Sequence, residues 1–179
     1  RHAEALLAFL LPRDDARWTT RTADQVRLGM EVDNLRAALN WAESAAGDRA
    51  LACALLGSSG GIWLVHALIG EGIQRAMRLL PLRDGLAPAI EARFNLLLGS
   101  LGYSGARREC FLASLRAAAL YRGLGNVTRL IDALIFAAQI GARLGEFEKV
   151  AAAIAEAESL IGPDAPPRQA AALAVSNAV

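Results

Sequence analysis

Apolar and polar positions repeat at helical spacing along almost the whole chain. Val32, Leu35, Leu39 and Ala42 recur at three- and four-residue intervals, which brings them to one face of a helix. Strand signals are nearly absent: β-branched runs are few, and no Asn-Gly or Asp-Gly pair sits between alternating segments. A first short helix, His2 to Leu11, is expected to stop at Pro12, which lacks the N–H that a helix interior needs. Thr22 and Gln25 fit a capping box, in which hydroxyl and amide satisfy each other's free backbone N–H groups. From there one helix is expected to run to about Ala46. Gly47 would end it and Asp48 would cap the next.

The later helices read as pairs. Asp48 to about Ala67 is followed by Glu71 to Leu80, which Pro81 ends. Pro88 suits a first turn and opens a helix to about Tyr103, answered by Ala106 to Gly123. Val127 to Leu144 is answered by Glu146 to Ile161, and Ala165 onward starts one more helix. Gly105 and Gly145 occupy equivalent turns 40 residues apart, and Ala67 stands 38 residues before Gly105. Two helices per unit and a period near 40 mark a helical solenoid, in which each unit covers its neighbour's apolar face. Gly99, Ala137, Ala138, Gly141 and the Ala151 to Ala153 run are read as places of close helix approach. The expected fold is therefore all-α: a right-handed solenoid of antiparallel helix pairs, TPR-like, with a period of about 40. Residues 1–21 are expected to be a connecting helix and linker, and 22–179 the repeat domain. Arg1 in first place and Val179 inside an apolar pattern suggest a cut from a longer protein.

Composition narrows the class. Apolar residues make up 54% and charged residues 21%, so the sequence has the means to fold around a core. A formal net charge of +1 gives no support for a surface built to embrace nucleic acid. Lys149 is the single lysine among many arginines, a bias associated with GC-rich bacterial genomes. Cys53 and Cys110 are too few for a disulfide framework, which suits a reducing cytoplasm. Ala50 to Gly70 carries no charge with His66 neutral, and a spanning helix needs about 20 predominantly apolar residues. Ser58, Ser59, Gly60 and Gly61 at its centre favour a buried helix with a weak middle over a membrane span.

The block Glu31-Val32-Asp33-Asn34-Leu35-Arg36-Ala37-Ala38-Leu39-Asn40-Trp41-Ala42 resembles a recurrent stretch in large bacterial transcriptional regulators. In that family a winged-helix DNA-binding domain and a STAND-type ATPase domain precede a TPR-like helical array. Arg1-His2-Ala3 resembles the opening of the connecting helix, and Trp63 with Glu71-Gly72 resembles the first hairpin. Leu120 to Asn126 and Leu144-Gly145-Glu146-Phe147 resemble repeat ends and turns. Arg107 departs from the pattern, since an aromatic is common after the turn glycine, as Phe147 is in the next unit. The resemblance implies an array that senses a small-molecule inducer or protein partner and restrains upstream ATPase and DNA-binding domains of the same polypeptide.

The chain has no G-x-x-x-x-G-K-[ST] phosphate cradle, so any ATPase activity is expected upstream of Arg1. Leu56 to Gly61 is glycine-rich without a following lysine and reads as a kink or a close contact. His2 and His66 lack Cys or carboxylate neighbours at ligand spacing, and no G-x-S-x-G elbow positions a nucleophile. No enzyme activity, metal or cofactor is expected. Arg107, Arg108, Arg116, Arg122 and Arg129 form a loose group, either a solvated face or a site for an anionic ligand or an acidic partner domain. Solenoids bind along the surface lined by the first helix of each pair. Candidate binding residues there are Trp63, His66, Arg93, Asn95, Asp132, Gln139 and Arg143, each equally readable as ordinary surface. The favoured function is a non-catalytic ligand- or protein-binding sensor module of an ATP-dependent regulator. The other reading is a structural adaptor built of repeats alone. Ala170, Leu173 and Ala174 are expected to face a following helix, so the chain is expected to self-associate, with a homodimer as one outcome.

Overall fold

The computed structural model describes residues 1–15, 22–44, 46–83, 85–105, 107–162, 169 and 171–174, with the side chains of 22–25 and 104 outside that description. Its helices are α1 (His2–Asp15), α2 (Thr22–Met30), α3 (Val32–Ala42), α4 (Arg49–Gly57), α5 (Gly60–Val65) and α6 (Ile69–Leu79). They continue as α7 (Pro88–Leu101), α8 (Arg108–Gly123), α9 (Val127–Leu144) and α10 (Phe147–Leu160), with short 3₁₀ turns at Leu80–Leu82 and Gly102–Ser104. Gln169 and residues 171–174 are helical as well. No strand occurs among the described residues, as the periodicity predicts.

Several ends follow from local chemistry. Asp48 caps α4 by accepting from Ala50 N at 2.8 Å and Leu51 N at 3.1 Å. Asn126 caps α9, accepting from Arg129 N at 3.1 Å. Gly145 ends α9 at φ 74°, a left-handed conformation in which glycine carries no Cβ penalty. The capping box expected at Thr22 and Gln25 lies outside the described side chains.

Three expected boundaries are corrected. Helix α1 does not stop at Pro12 but continues to Asp15. Pro12 leaves only the Ala8 carbonyl without its helical donor, and Arg13 Nη1 adds a donor to the neighbouring Phe9 carbonyl at 2.8 Å. The helix expected from Thr22 to Ala46 breaks at Glu31 and ends at Ala42; Glu31 N turns back to Leu28 O at 3.1 Å. The helix expected from Asp48 to Ala67 breaks at Ser58 and Ser59. Ser59 Oγ donates to the Leu56 carbonyl and accepts from Trp63 Nε1, both at 2.7 Å, replacing ladder bonds with side-chain ones. Ala67 does lie in a turn, at φ 55°.

Helix α7 is the central element. Phe94, Leu97 and Leu98 join the core to which α1 to α9 all contribute, while Ala92 and Leu96 join the core of α8, α9 and α10. Buried on nearly all sides, α7 is apolar around most of its circumference. Helix α4 packs against it, and a Cβ on Gly57 would lie 2.8 Å from Phe94 N, so the two backbones meet there. Helices α7 to α10 each pack on the next in chain order. Gly141 lets α9 approach both neighbours: a Cβ there would lie 2.8 Å from Phe111 Cε2 and 2.9 Å from Val150 Cγ2. Ala137, Ala138 and Ala153 are buried as expected of close-packing positions, whereas Ala151 and Ala152 are exposed.

The last described segment folds back onto α9. Leu173, expected on an open stripe, is buried with Leu130 and Leu134, while Ala174 is exposed and Ala170 lies outside the described residues. The chain itself thus covers Leu173, one of the three residues on which the expected self-association rested. No helix among the described residues is long and apolar enough to cross a membrane. The uncharged stretch from Ala50 to Gly70 is divided between α4, α5 and the start of α6.

Candidate functional site

Helix α1 ends in two acids, Asp14 and Asp15, and Asp14 is buried. Both meet arginines from far along the chain. Arg93 on α7 donates from Nη1 to Asp14 Oδ2 and from Nη2 to Asp15 Oδ1, each at 2.7 Å. Arg129, in the first turn of α9 and only 4% exposed, donates from Nη2 to Asp14 Oδ2 at 2.8 Å. The same nitrogen donates to the Asp14 carbonyl oxygen, so Arg129 caps the end of α1 from across the fold. Burial opposes the Arg93 charge, but the Asp15 hydrogen bond and the Asp14 charge outweigh it and hold its pKa above the ordinary value.

The same arginine leads to the second part of the site. Arg129 Nη1 lies 3.6 Å from Asp132 Oδ2, one turn along α9. Asp132 is fully buried, and its Oδ1 accepts from Gln169 Nε2 at 2.7 Å. Gln169 also donates to the Thr128 carbonyl at 2.9 Å, which fixes its amide orientation, because a flipped amide would set oxygen against two acceptors. Asp132 borders a pocket of about 210 Å³, walled by Tyr103, Ile135, Phe136, Gln139 and Ala172. At its rim Arg143 lies over the Tyr103 ring, 4.8 Å from the centroid, and donates to the Tyr103 carbonyl.

The structure therefore brings Asp132 and Gln139 together at one pocket, with Arg143 beside it, and joins Arg93 to them through Asp14 and Arg129. The other candidates sit apart. Trp63 is fully buried and its indole N–H is satisfied by Ser59, a core placement. His66 is half-buried at the end of α5, with Nε2 enclosed and without a hydrogen-bond partner among the described residues. Asn95 is fully buried; it donates to the Glu91 carbonyl at 2.8 Å and accepts from Arg83 at 3.3 Å. Sequence reasoning missed Asp14, Asp15 and Gln169.

Apart from Arg107, the loose arginine group resolves into ties between helices. Arg116 holds buried Glu91 at 2.8 Å, Arg108 holds Glu146 at 2.9 Å, and Arg122 holds Glu156 at 2.8 Å. A second network joins α3 to α6: Arg36 binds Glu71 at 2.7 Å, and Arg75 reaches Glu71 at 3.2 Å and Glu43 at 3.0 Å. The Arg36 hydrogen bond, reinforced by Arg75, holds the Glu71 carboxyl below the usual carboxylate range. Burial pushes the Cys53 and Cys110 thiols up to about 11, so both stay protonated at neutral pH and are poor nucleophiles. Among the described residues no cluster of three or more His, Cys, Asp or Glu side chains is placed to hold a metal ion. Compared with family models, curated proteins and solved structures, the chain matches none.

Proposed function

We propose that this chain is a non-catalytic sensor module of an ATP-dependent bacterial transcriptional regulator, built as a right-handed TPR-like solenoid of antiparallel helix pairs. One observation carries the reading: the end of α1 is tied by Asp14 and Asp15 to Arg93 and Arg129, inside the packed array. A helix leading in from preceding domains and held in this way would feel any rearrangement of α7 and α9. A ligand or partner preferring one arrangement of those helices then shifts the population of states upstream. The repeat reading is supported by side-chain ties spaced near one period. Arg143 reaches the Tyr103 carbonyl 40 residues back, and Arg108 reaches Glu146 38 residues on. The block Val32–Ala42, which carries the resemblance to those regulators, forms helix α3 with Leu35, Ala38, Leu39 and Ala42 buried.

Translating the coding sequence that precedes Arg1 tests the proposal. A winged helix followed by G-x-x-x-x-G-K-[ST] supports it and places DNA binding and ATP hydrolysis there, with this module as their cytoplasmic regulator. Helical repeats alone in that position would sink it in favour of a protein adaptor, and a pull-down of partners would follow.

A further inference from the structure

The outer face of α6 carries features that neither the clamp of Asp14 and Asp15 on Arg93 and Arg129 nor the pocket on α9 uses. Helix α6 turns Arg75, Ala76 and Leu79 inward. Gly70, Ile73, Gln74, Met77 and Arg78 instead line a groove of about 460 Å³, closed on its other side by Arg107. That volume is within the range of sites that hold small organic molecules.

The charge balance in this groove is one-sided. Arg108, Arg116, Arg122 and Arg129 are each paired with a carboxylate. Arg107 is exposed and has no carboxylate or hydrogen-bond partner for its side chain among the described residues. Arg78 spends one donor on Glu43 at 3.0 Å, stays 56% exposed, and keeps further N–H groups of its five. No acid among the described residues lines the groove. Two guanidinium groups, the Gln74 amide and the apolar side chains of Ile73 and Met77 together give the groove both cationic and apolar lining.

Gly70 is an independent sign that the space matters. It lies in α6 with no positive φ, and a Cβ built on it would meet nothing within 4 Å. Neither packing nor backbone conformation calls for glycine here, and glycine weakens a helix relative to alanine. A side chain at this position would project into the groove.

We propose that the groove binds a small amphipathic carboxylate, with the carboxylate on Arg107 and Arg78 and the apolar tail on Ile73 and Met77. A planar guanidinium matches a carboxylate with two parallel hydrogen bonds, which makes Arg107 the anchor. The inference deepens the sensor reading by naming a ligand class, and its biological meaning rests on that reading.

The test is a titration of the isotope-labelled chain with 4-phenylbutyrate, followed by backbone amide NMR. 4-Phenylbutanamide serves as the uncharged control and inorganic phosphate as the anion without a tail. Saturable shifts at Gly70, Gln74 and Arg107 are expected, with the amide about tenfold weaker or more. Arg107→Ala should weaken phenylbutyrate by about tenfold, and Gly70→Leu should abolish binding while the rest of the spectrum is kept. Gly70→Ala, which adds one methyl to open space, should fold normally and bind less tightly. Equal binding of the amide, an unaltered Arg107→Ala affinity, or shifts confined to other helices would overturn the proposal. Phosphate binding without phenylbutyrate binding would overturn it too, leaving a bare anion site. None of these results touches the upstream-sequence test, so the ligand class and the sensor reading fail separately.

Discussion

Replacing Asp14 with alanine removes the carboxylate that Arg93 and Arg129 share, and leaves a buried guanidinium on α9. Losing one partner of a buried ion pair generally costs about 3–5 kcal/mol, because the remaining charge is stranded away from water. The cost here is smaller, since other contacts survive, among them Arg129 Nη2 to Asp15 Oδ1 at 3.5 Å. Arg129 keeps the Asp14 backbone carbonyl and its approach to Asp132, and Arg93 keeps Asp15 at 2.7 Å. We therefore expect Asp14→Ala to cost about 2–3 kcal/mol, below the full stranded-charge range. Arg129→Met keeps the stem volume and leaves Asp14 with Arg93, so about 2 kcal/mol is expected. Because the two residues touch, the double variant should cost less than the sum of the singles, by about 1–2 kcal/mol. Arg122→Ala is the control: its pair with Glu156 is 51% exposed on the arginine side, and about 1 kcal/mol is the most it should lose. The assay is urea unfolding of all four variants at pH 7 by circular dichroism, with amide exchange at Leu6 and Leu10 reporting on α1 itself. The clamp as described is refuted if Asp14→Ala costs no more than Arg122→Ala, or if the Asp14 and Arg129 effects simply add.

Three further outcomes follow from single contacts. Gly141→Ala would place a methyl 2.8 Å from Phe111 Cε2 and 2.9 Å from Val150 Cγ2, and should lower stability by about 1–3 kcal/mol in thermal melts. Asp48→Ala removes the side-chain cap of α4 and should cost about 1 kcal/mol, whereas Asp48→Asn should keep most of it. Glu71 has its pKa lowered in the fold by Arg36 first and Arg75 second, so its contribution is present above the unfolded value of about 4.3 and is lost as pH falls through the folded value. The stability gap between the native chain and Glu71→Gln, read from urea midpoints, should therefore be steady from pH 7 to 5 and narrow as pH falls below about 4; a gap unchanged between pH 5 and pH 3 would contradict it.

The second half of the fold is legible because strong local signals agree with the packing. Pro88 opens α7, Asn126 caps α9 and Gly145 ends it, and the observed helices start and stop within two residues of the reading. The first half is less legible because its breaks are not made by breakers. Glu31 is an ordinary helix residue, yet the helix breaks there, with α2 packing on α5 and α3 on α1 and α4. At Ser58 and Ser59 the composition did hint at weakness. What decides the break is that Ser59 serves both the Leu56 carbonyl and the Trp63 indole, a contact that depends on where α5 lies. Trp63 reads from sequence as a surface aromatic, and becomes core through that same contact.

The clamp was hidden by one early boundary. Ending α1 at Pro12 turns Asp14 and Asp15 into linker residues, where acids need no explanation. With α1 running to Asp15, the two acids stand at a helix C-terminus, beside the negative end of the macrodipole. Arg129 stands in the first turn of α9, at the positive end, where a cation is equally disfavoured. Each charge is misplaced for its own helix and well placed for the other: Arg129 brings positive charge and a donor to the exposed carbonyl end of α1, while Asp14 brings negative charge toward the amide end of α9. Charges set against their own dipole are thus the trace of this tertiary contact that can be read from sequence, provided the helix ends are right. Glu71 and Arg75, one turn apart on α6 and running in the favourable order, could be satisfied locally, and their sequence alone gave no reason to look for Arg36 and Glu43 across the fold.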